Sequence, residues 1–443
     1  VKVFTKSIPN ENFYSIQYRT QINLGTTFQD FYQSDQNALF HLGFDNMNGL
    51  PSNFPKDLRS SSAQELIDAG RSMKNNWTAH KAIAIPDQSL AFTMGHRIVG
   101  KKILIGEITA INYSNSRSTY NVKRSDYNVY DFENKEPSAI YDFDDHQYNT
   151  NVKLGLIHNW SFRFKDGSTV DFKNLANFNS SSQYIQRGGE HYEFSYFPNN
   201  YSFDQVFKGI YSGQILGKHE LSEGAANLDW VVGMGYTYRN QPDYKRYRSD
   251  LDTATGNSTL YIPIGNAQPF FLGRFYSEMR ELLTNAQINY SYKIGYKKAN
   301  KIIPTLYTGI NLEYKDRTFG SRNIGFIRSP QFDISNLNAP ISDIFQEENI
   351  NTTTGVILDE QSNPSDSYTS NNVLGAAYAK MELPLQKFKI VAGVRYEYFQ
   401  QKLNSFTLTN DPVNVNRKQH FVLPSINTSY SFMENKMVAR VAY

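Results

Sequence analysis

YSIQYRTQINL, residues 14–24, alternates from end to end. Tyr14, Ile16, Tyr18, Ile22 and Leu24 fall on one face, interrupted only by Thr20. Ser15, Gln17, Arg19, Gln21 and Asn23 fall on the other, and none of them is apolar. Successive side chains of a strand point to opposite sides, so this period of two predicts a β-strand with one greasy and one wet face. At about eleven residues it is roughly twice the mean strand of a soluble protein. A hydrocarbon layer crossed at a tilt demands about that length.

The rest of the chain repeats the pattern. QSLAFTMGHRI (88–98), KILIGEITAINY (102–113), YNTNVKLGLIHNWSFRF (148–164) and STVDFKNLANF (168–178) follow, then a less regular segment at 203–216. LDWVVGMGYTY (228–238), LLTNAQINYSYKI (282–294), IIPTLYTGINLEY (302–314) and NVLGAAYAKMELPL (372–385) continue it. FKIVAGVRYEYF (388–399), VLPSINTSYSF (422–432) and KMVARVAY (436–443) bring the candidates to about thirteen. Short polar links (VGKK, KDG, EGAAN, GYKKANK, QK, MEN) alternate with long ones (25–87, 114–147, 179–202, 239–281, 315–371, 400–421). A transmembrane antiparallel up-and-down β-barrel has this form, with short periplasmic turns and long extracellular loops. Closure is then expected, because unpaired backbone groups in lipid cost several kcal/mol each. Tyr14, Tyr113, Tyr148, Tyr236, Tyr238, Tyr290, Tyr292, Tyr314, Tyr396, Tyr398, Tyr430 and Phe432 are placed where interfacial girdles lie.

Composition agrees. The 443 residues are 14% aromatic, and half-polar strands explain how a membrane wall has a mean hydropathy of only −0.55. A net charge of +3 with no extended basic stripe excludes a nucleic-acid partner. The absence of cysteine excludes disulfide scaffolds, thiolate metal sites and cysteine nucleophiles. No HExxH, GxSxG or P-loop pattern occurs, so no enzyme is expected. His96 and His158 fall in strands and are expected to pack or to line the lumen.

Two loop segments carry binding chemistry. YKRYRSD (244–250) interleaves Tyr244 with Lys245, Arg246 and Arg248, which suits an anionic ligand or lipopolysaccharide phosphate. YDFDDHQ (141–147) gathers Asp142, Asp144 and Asp145, an oxygen set of the kind that holds Ca²⁺. No other cofactor is expected.

Four segments resemble the TonB-dependent receptors of Bacteroidota. VKVFTKSIPNENF (1–13) resembles the end of the receptor plug and the linker into the first barrel strand. TTFQDFYQSDQNALFHLGFDNMNGLPSNFP (26–55) resembles the family's first extracellular loop, whose characteristic stretch reads HLGFDNMNGLP here, with its acidic pair and Arg replaced. AAYAKMELPLQKFKIVAGVRYEYF (376–399) and LPSINTSYSFMENKMVARVAY (423–443) look like its paired strands before the final third. The resemblance implies a 22-stranded outer-membrane barrel that is plugged from its N-terminal side and driven through the TonB complex to import a scarce nutrient. Residues 1–12 would then end the plug and linker, and 13–443 would be an incomplete barrel. Gln17, Arg19, Gln21 and Asn23 would face the plug. Outer-membrane lipid, lipopolysaccharide and a surface lipoprotein or other outer-membrane protein are the implied partners. Two other readings are a receptor-derived structural subunit of an outer-membrane complex and a secreted soluble β-rich adhesin.

Overall fold

A computed structural model describes residues 8–44, 48–133, 135–296, 303–432 and 436–443. Thirteen strands form one antiparallel path in which every strand pairs with its neighbours in sequence order. They are β1 (Phe13–Gln21), β2 (Asp87–Val99), β3 (Ile103–Asp131), β4 (Glu136–Phe164), β5 (Thr169–His191), β6 (Asn200–Leu221) and β7 (Ala226–Tyr247). β8 (Leu272–Lys293), β9 (Thr305–Arg328), β10 (Tyr368–Leu385), β11 (Phe388–Phe406), β12 (Pro412–Phe432) and β13 (Met437–Ala442) complete the path. Each of the thirteen alternating segments is a strand. The turns GYKKANK and MEN fall largely outside the described residues. Among the described residues β1 and β13 pair on one side only.

Register carries the apolar face across the sheet. One row runs Ile16, Phe92, Ile111, Leu156, Ala176, Tyr211, Tyr236, Leu282, each residue directly opposite the next. Another runs Trp230, Ile288, Ile310, Ala377, Tyr396, Val422. Paired residues share a face, so a single register slip would send a whole row to the wet side.

The strands outrun their greasy segments. Residues 114–131 and 136–147, expected as a loop, are the outer halves of β3 and β4, and most of 179–202 and 400–421 is likewise strand. Both faces of these extensions carry polar residues, so the hydrophobic period stops at the membrane boundary while the backbone ladder continues. At β1 the opposite holds: the strand ends at Gln21, and Ile22, Asn23 and Leu24 have already left it. Asn23 turns the chain instead, its carbonyl accepting from the Thr26 and Thr27 amides at 3.1 and 2.9 Å.

The described residues of the remaining long connections, 22–86, 248–271 and 329–367, fold into a layer with its own core. Helix α1 (Ala63–Ser72) opens with a capping box in which Ser62 and Glu65 satisfy each other's backbone amides. Trp77, fully buried, lies 4.9 Å from Phe345 and 6.0 Å from Phe326 between ring centroids. Leu58, Leu260, Ile262, Leu337, Ile350 and Leu358 surround it. A second patch seats Phe40 on Val152 and Phe207. Gly43 lies close by at φ +90°, where a Cβ would stand 2.6 Å from that of Phe178. Gly43→Ala is therefore expected to destabilise this loop by at least about 1–2 kcal/mol, seen as faster proteolysis near residue 43.

Candidate functional site

The loop layer rests on the same face of the sheet that is greasy lower down. Val152, Phe203, Phe207, Leu272, Tyr276, Ile324 and Phe326 share the parity of the apolar rows and are buried under the loops. Nearer the short turns that face is uncovered: Ile16, Ile288, Ile310 and Val422 are 74, 54, 56 and 68% exposed. The face thus has two environments along one strand direction. Tyr148, expected in a lipid-facing girdle, belongs to the upper one and packs edge-on against Phe31 and Tyr32. Tyr113 and Tyr238 likewise pack against the Phe40 patch, whereas Tyr236, Tyr292, Tyr314 and Tyr396 stay open.

At the centre of the covered region a β-bulge turns the end of β7. Register with β8 shifts between Phe275 and Ser277, and Asp243 takes φ +58°. The bulge aims the Asp243 carboxylate into the core, where Arg274 grips it with Nε and Nη2, both at 2.5 Å, and Tyr276 donates to it at 3.1 Å. The same guanidinium donates to the Lys74 carbonyl at 2.8 Å and to Asn75 Oδ1 at 3.2 Å. It also stacks 5.7 Å from the Trp77 ring. This network pins the 74–77 segment of the first loop to the barrel wall. A second clamp repeats it: Arg322 bonds Glu360 and the Pro55 carbonyl, while Glu360 accepts the Leu58 amide at 3.0 Å. None of Asp243, Arg274, Tyr276 and Trp77 was legible as a site residue, because their partners lie up to 200 positions away.

The basic segment falls against this network instead of in a free loop. Tyr244, Lys245, Arg246 and Tyr247 are the end of β7, and all three of the segment's cations are engaged within the chain. Lys245 donates to the Asn76 carbonyl and lies 3.7 Å from Asp243. Arg246 donates to the Pro269 carbonyl at 3.0 Å and stacks on Phe270 and Tyr244. Arg248 forks onto Asp250 at 2.7 and 2.9 Å and sits 3.8 Å above the Tyr196 ring.

Burial pushes the Lys245 ammonium down to about 8, while Asp243 is held below the ordinary carboxylate range chiefly by Arg274 against the opposing effect of its own burial. Because Lys245 loses its proton more easily folded than unfolded, the unfolded state binds more protons from about pH 8 up to the ordinary lysine value of 10.5. Stability should therefore rise with pH across that window. The difference in urea midpoint between wild type and Lys245→Met is expected to move in favour of wild type over that range.

The acidic segment is also strand, and its alternation separates the three carboxylates. Asp142 and Asp144 share one face of β4, 3.9 and 3.8 Å from Lys123. Asp145 points the other way, buried and forked by Arg187 at 2.6 and 2.9 Å, with Arg124 at 2.8 Å. The expected Ca²⁺ cluster is corrected by this geometry: the three never converge, and among the described residues no group of three or more His, Asp or Glu side chains does.

Gln17 and Arg19 stay on the wet face of β1, where they line an open cavity of about 550 Å³ with Ser89, Asn112, Lys153 and Asn177. Gln21 donates to Asn23 at 3.1 Å, and Asn23 reaches the Asp87 carboxylate at 2.8 Å. The segment leading into β1 lies on this wet face too, since a Cβ on Gly106 would meet Ile8 and Arg97 donates to the Asn10 carbonyl at 3.1 Å. His96 and His158 are not on it. They flank Glu107 at 3.2 and 3.5 Å on the apolar face near the short turns, where Trp160 donates to His158.

A long-stranded antiparallel wall with one uncovered apolar face, short turns at one end and a folded loop layer at the other defines an outer-membrane β-barrel. Residues 184–443 match the family described as TonB dependent receptor-like, beta-barrel. That is more than half of the chain, which belongs to this family of outer-membrane receptors and transporters. No curated protein matches the chain.

Proposed function

We propose that this chain forms much of the barrel wall of a Bacteroidota-type TonB-dependent transporter that imports a scarce nutrient past a plug. TonB-dependent receptors work with TonB, and in this reading energised movement of the plug, seated against the wet strand face, opens the path. The observation that carries it is the position of residues 8–12. They lie against Gly106, Thr93 and Ile108 on the wet face, the course a linker from a lumenal plug would take. Gln17, Arg19 and Gln21 then offer hydrogen bonds to the plug, with Asn23 at the rim. The working chemistry is binding and displacement, with no bond made or broken by the wall.

The test starts from the native protein in isolated outer membranes. An unboiled sample is expected to migrate faster than a boiled one, with a boiled mass above 50.9 kDa that includes the plug. The full-length protein is then expected to be retained by immobilised TonB periplasmic domain. A heat-modifiable barrel that TonB does not retain would make the chain a structural subunit of the envelope. A soluble protein with no shift would make it an adhesin.

A further inference from the structure

Between the foot of the first loop and the outer half of β3 lies a cavity of about 410 Å³, walled by Gln33, Ser34, Asp35, Gln36, His41, Lys74, His80 and Arg117. Arg117, half-buried on β3, is part of the wall. Among the described residues its guanidinium has no hydrogen bond or ion pair, and it lies 6.0 Å from the centre of the Phe31 ring. Asp87 attracts it electrostatically, but Asp87 is committed elsewhere: Oδ1 accepts the Arg117 amide at 2.9 Å and Oδ2 accepts Asn23 at 2.8 Å.

Gln33, Ser34 and Gln36 line the same cavity as Arg117, and among the described residues Gln33 Oε1, Ser34 Oγ and Gln36 Nε2 are buried without hydrogen-bond partners. The His41 ring, which touches Phe40, completes this part of the wall. Asp35 does not neutralise the group. Its carboxylate is taken by His80, by Asn76 at 2.8 Å and by Lys74 at 3.5 Å. Counting Arg117, Lys74 and Asp35, the wall carries two positive charges and one negative, a net of +1 before either histidine is counted.

Leaving a buried polar atom unpaired costs about 1–3 kcal/mol, and a planar guanidinium with five free donors is the side chain best matched to a carboxylate or phosphate. We infer that this cavity is a binding site for a small soluble oxyanion, a carboxylate or phosphate held by Arg117, Ser34 and Gln36, with an adjacent hydroxyl donating to Gln33 Oε1. The assignment concerns equilibrium binding alone, so it stands or falls separately from TonB-driven transport.

Isothermal titration calorimetry of the full-length receptor in detergent tests it with glycerol 3-phosphate and glycerate, using glycerol as the neutral control. One or both oxyanions are expected to bind, and glycerol to give no heat. Arg117→Met is expected to weaken binding by about tenfold or more, the size of a lost charge-assisted hydrogen bond, and Arg117→Lys to recover part of it. Gln36→Leu, which keeps the charge, should weaken binding as well. A retained heat-modifiable band shows that each variant is folded. Heat from neither oxyanion would overturn the assignment, as would full affinity in folded Arg117→Met or in folded Gln36→Leu. Displacement of the probe by purified lipopolysaccharide at matched phosphate would transfer the site to a lipid headgroup and overturn the soluble ligand.

Discussion

Arg274→Met is expected to release the loop layer while leaving the barrel intact. The substitution keeps most of the side-chain volume but strands the Asp243 carboxylate in a core from which water is excluded. Breaking a buried ion pair from one side costs about 3–5 kcal/mol, because the remaining charge has neither solvent nor partner. Among the described residues Lys245, at 3.7 Å, is the cation left beside it, and burial already disfavours the charge on Lys245. The Lys74 carbonyl and Asn75 Oδ1 lose their donor in the same step. Limited proteolysis and amide exchange over residues 57–78 and 329–360 should therefore show loss of protection, with the heat-modifiable band unchanged. Arg274→Met combined with Asp243→Asn should recover much of that protection, since the stranded charge is gone. Equal protection in wild type and the single variant would mean that apolar packing around Trp77 holds the layer by itself.

Acid should act at the same place. Asp243 has its pKa lowered on folding, so its contribution is present above the ordinary value of 3.8 and is lost as pH falls through the lower folded value. Protection of residues 57–78 should fall in that acid range before the barrel unfolds.

Ile310→Arg is expected to cost about 2–4 kcal/mol of barrel stability in a bilayer, and Asn311→Arg far less. Ile310 lies five residues into β9, between Ile288 and Ala377. At about 3.4 Å per residue and a tilt near 40°, that places it about 13 Å above the strand end, close to the middle of an apolar band about 25 Å tall. A guanidinium there must be desolvated or must distort the lipid around it. Asn311 is the next residue, opposite Gln287 on the wet face, where the same charge meets water or the plug. Urea midpoints for refolding into bilayers measure both variants. Equal costs would mean that the uncovered face is not in contact with lipid.

The difference between these two neighbours was already written in the alternation of residues 305–314. All thirteen strands, their order and their antiparallel pairing were legible for the same reason. Period two, repeated between short polar links, leaves one economical arrangement, and each strand can be read without knowing its neighbours. The strand extensions were not legible, because above the bilayer neither face must be greasy and hydrogen bonding between backbones leaves no mark in side-chain pattern. Tyr244–Arg248 and Asp142–Asp145 read as loops on that account. Placed on strands, Asp145 and Asp144 are forced to opposite faces, and Lys245 turns inward only because the bulge at Asp243 resets the phase.

Sequence by itself therefore determined the wall: which residues cross the membrane, which face is apolar and in what order the strands pair. All of that follows from local periodicity. Tertiary structure decided what the apolar face touches at each height, lipid near the short turns and the loop layer near the long ones. It also decided that Arg274 neutralises Asp243 and that, among the described residues, the Arg117 guanidinium has no hydrogen bond or ion pair. Those outcomes depend on charges brought together from segments far apart in the chain. Their energies are set by burial and distance, which no local window of sequence contains.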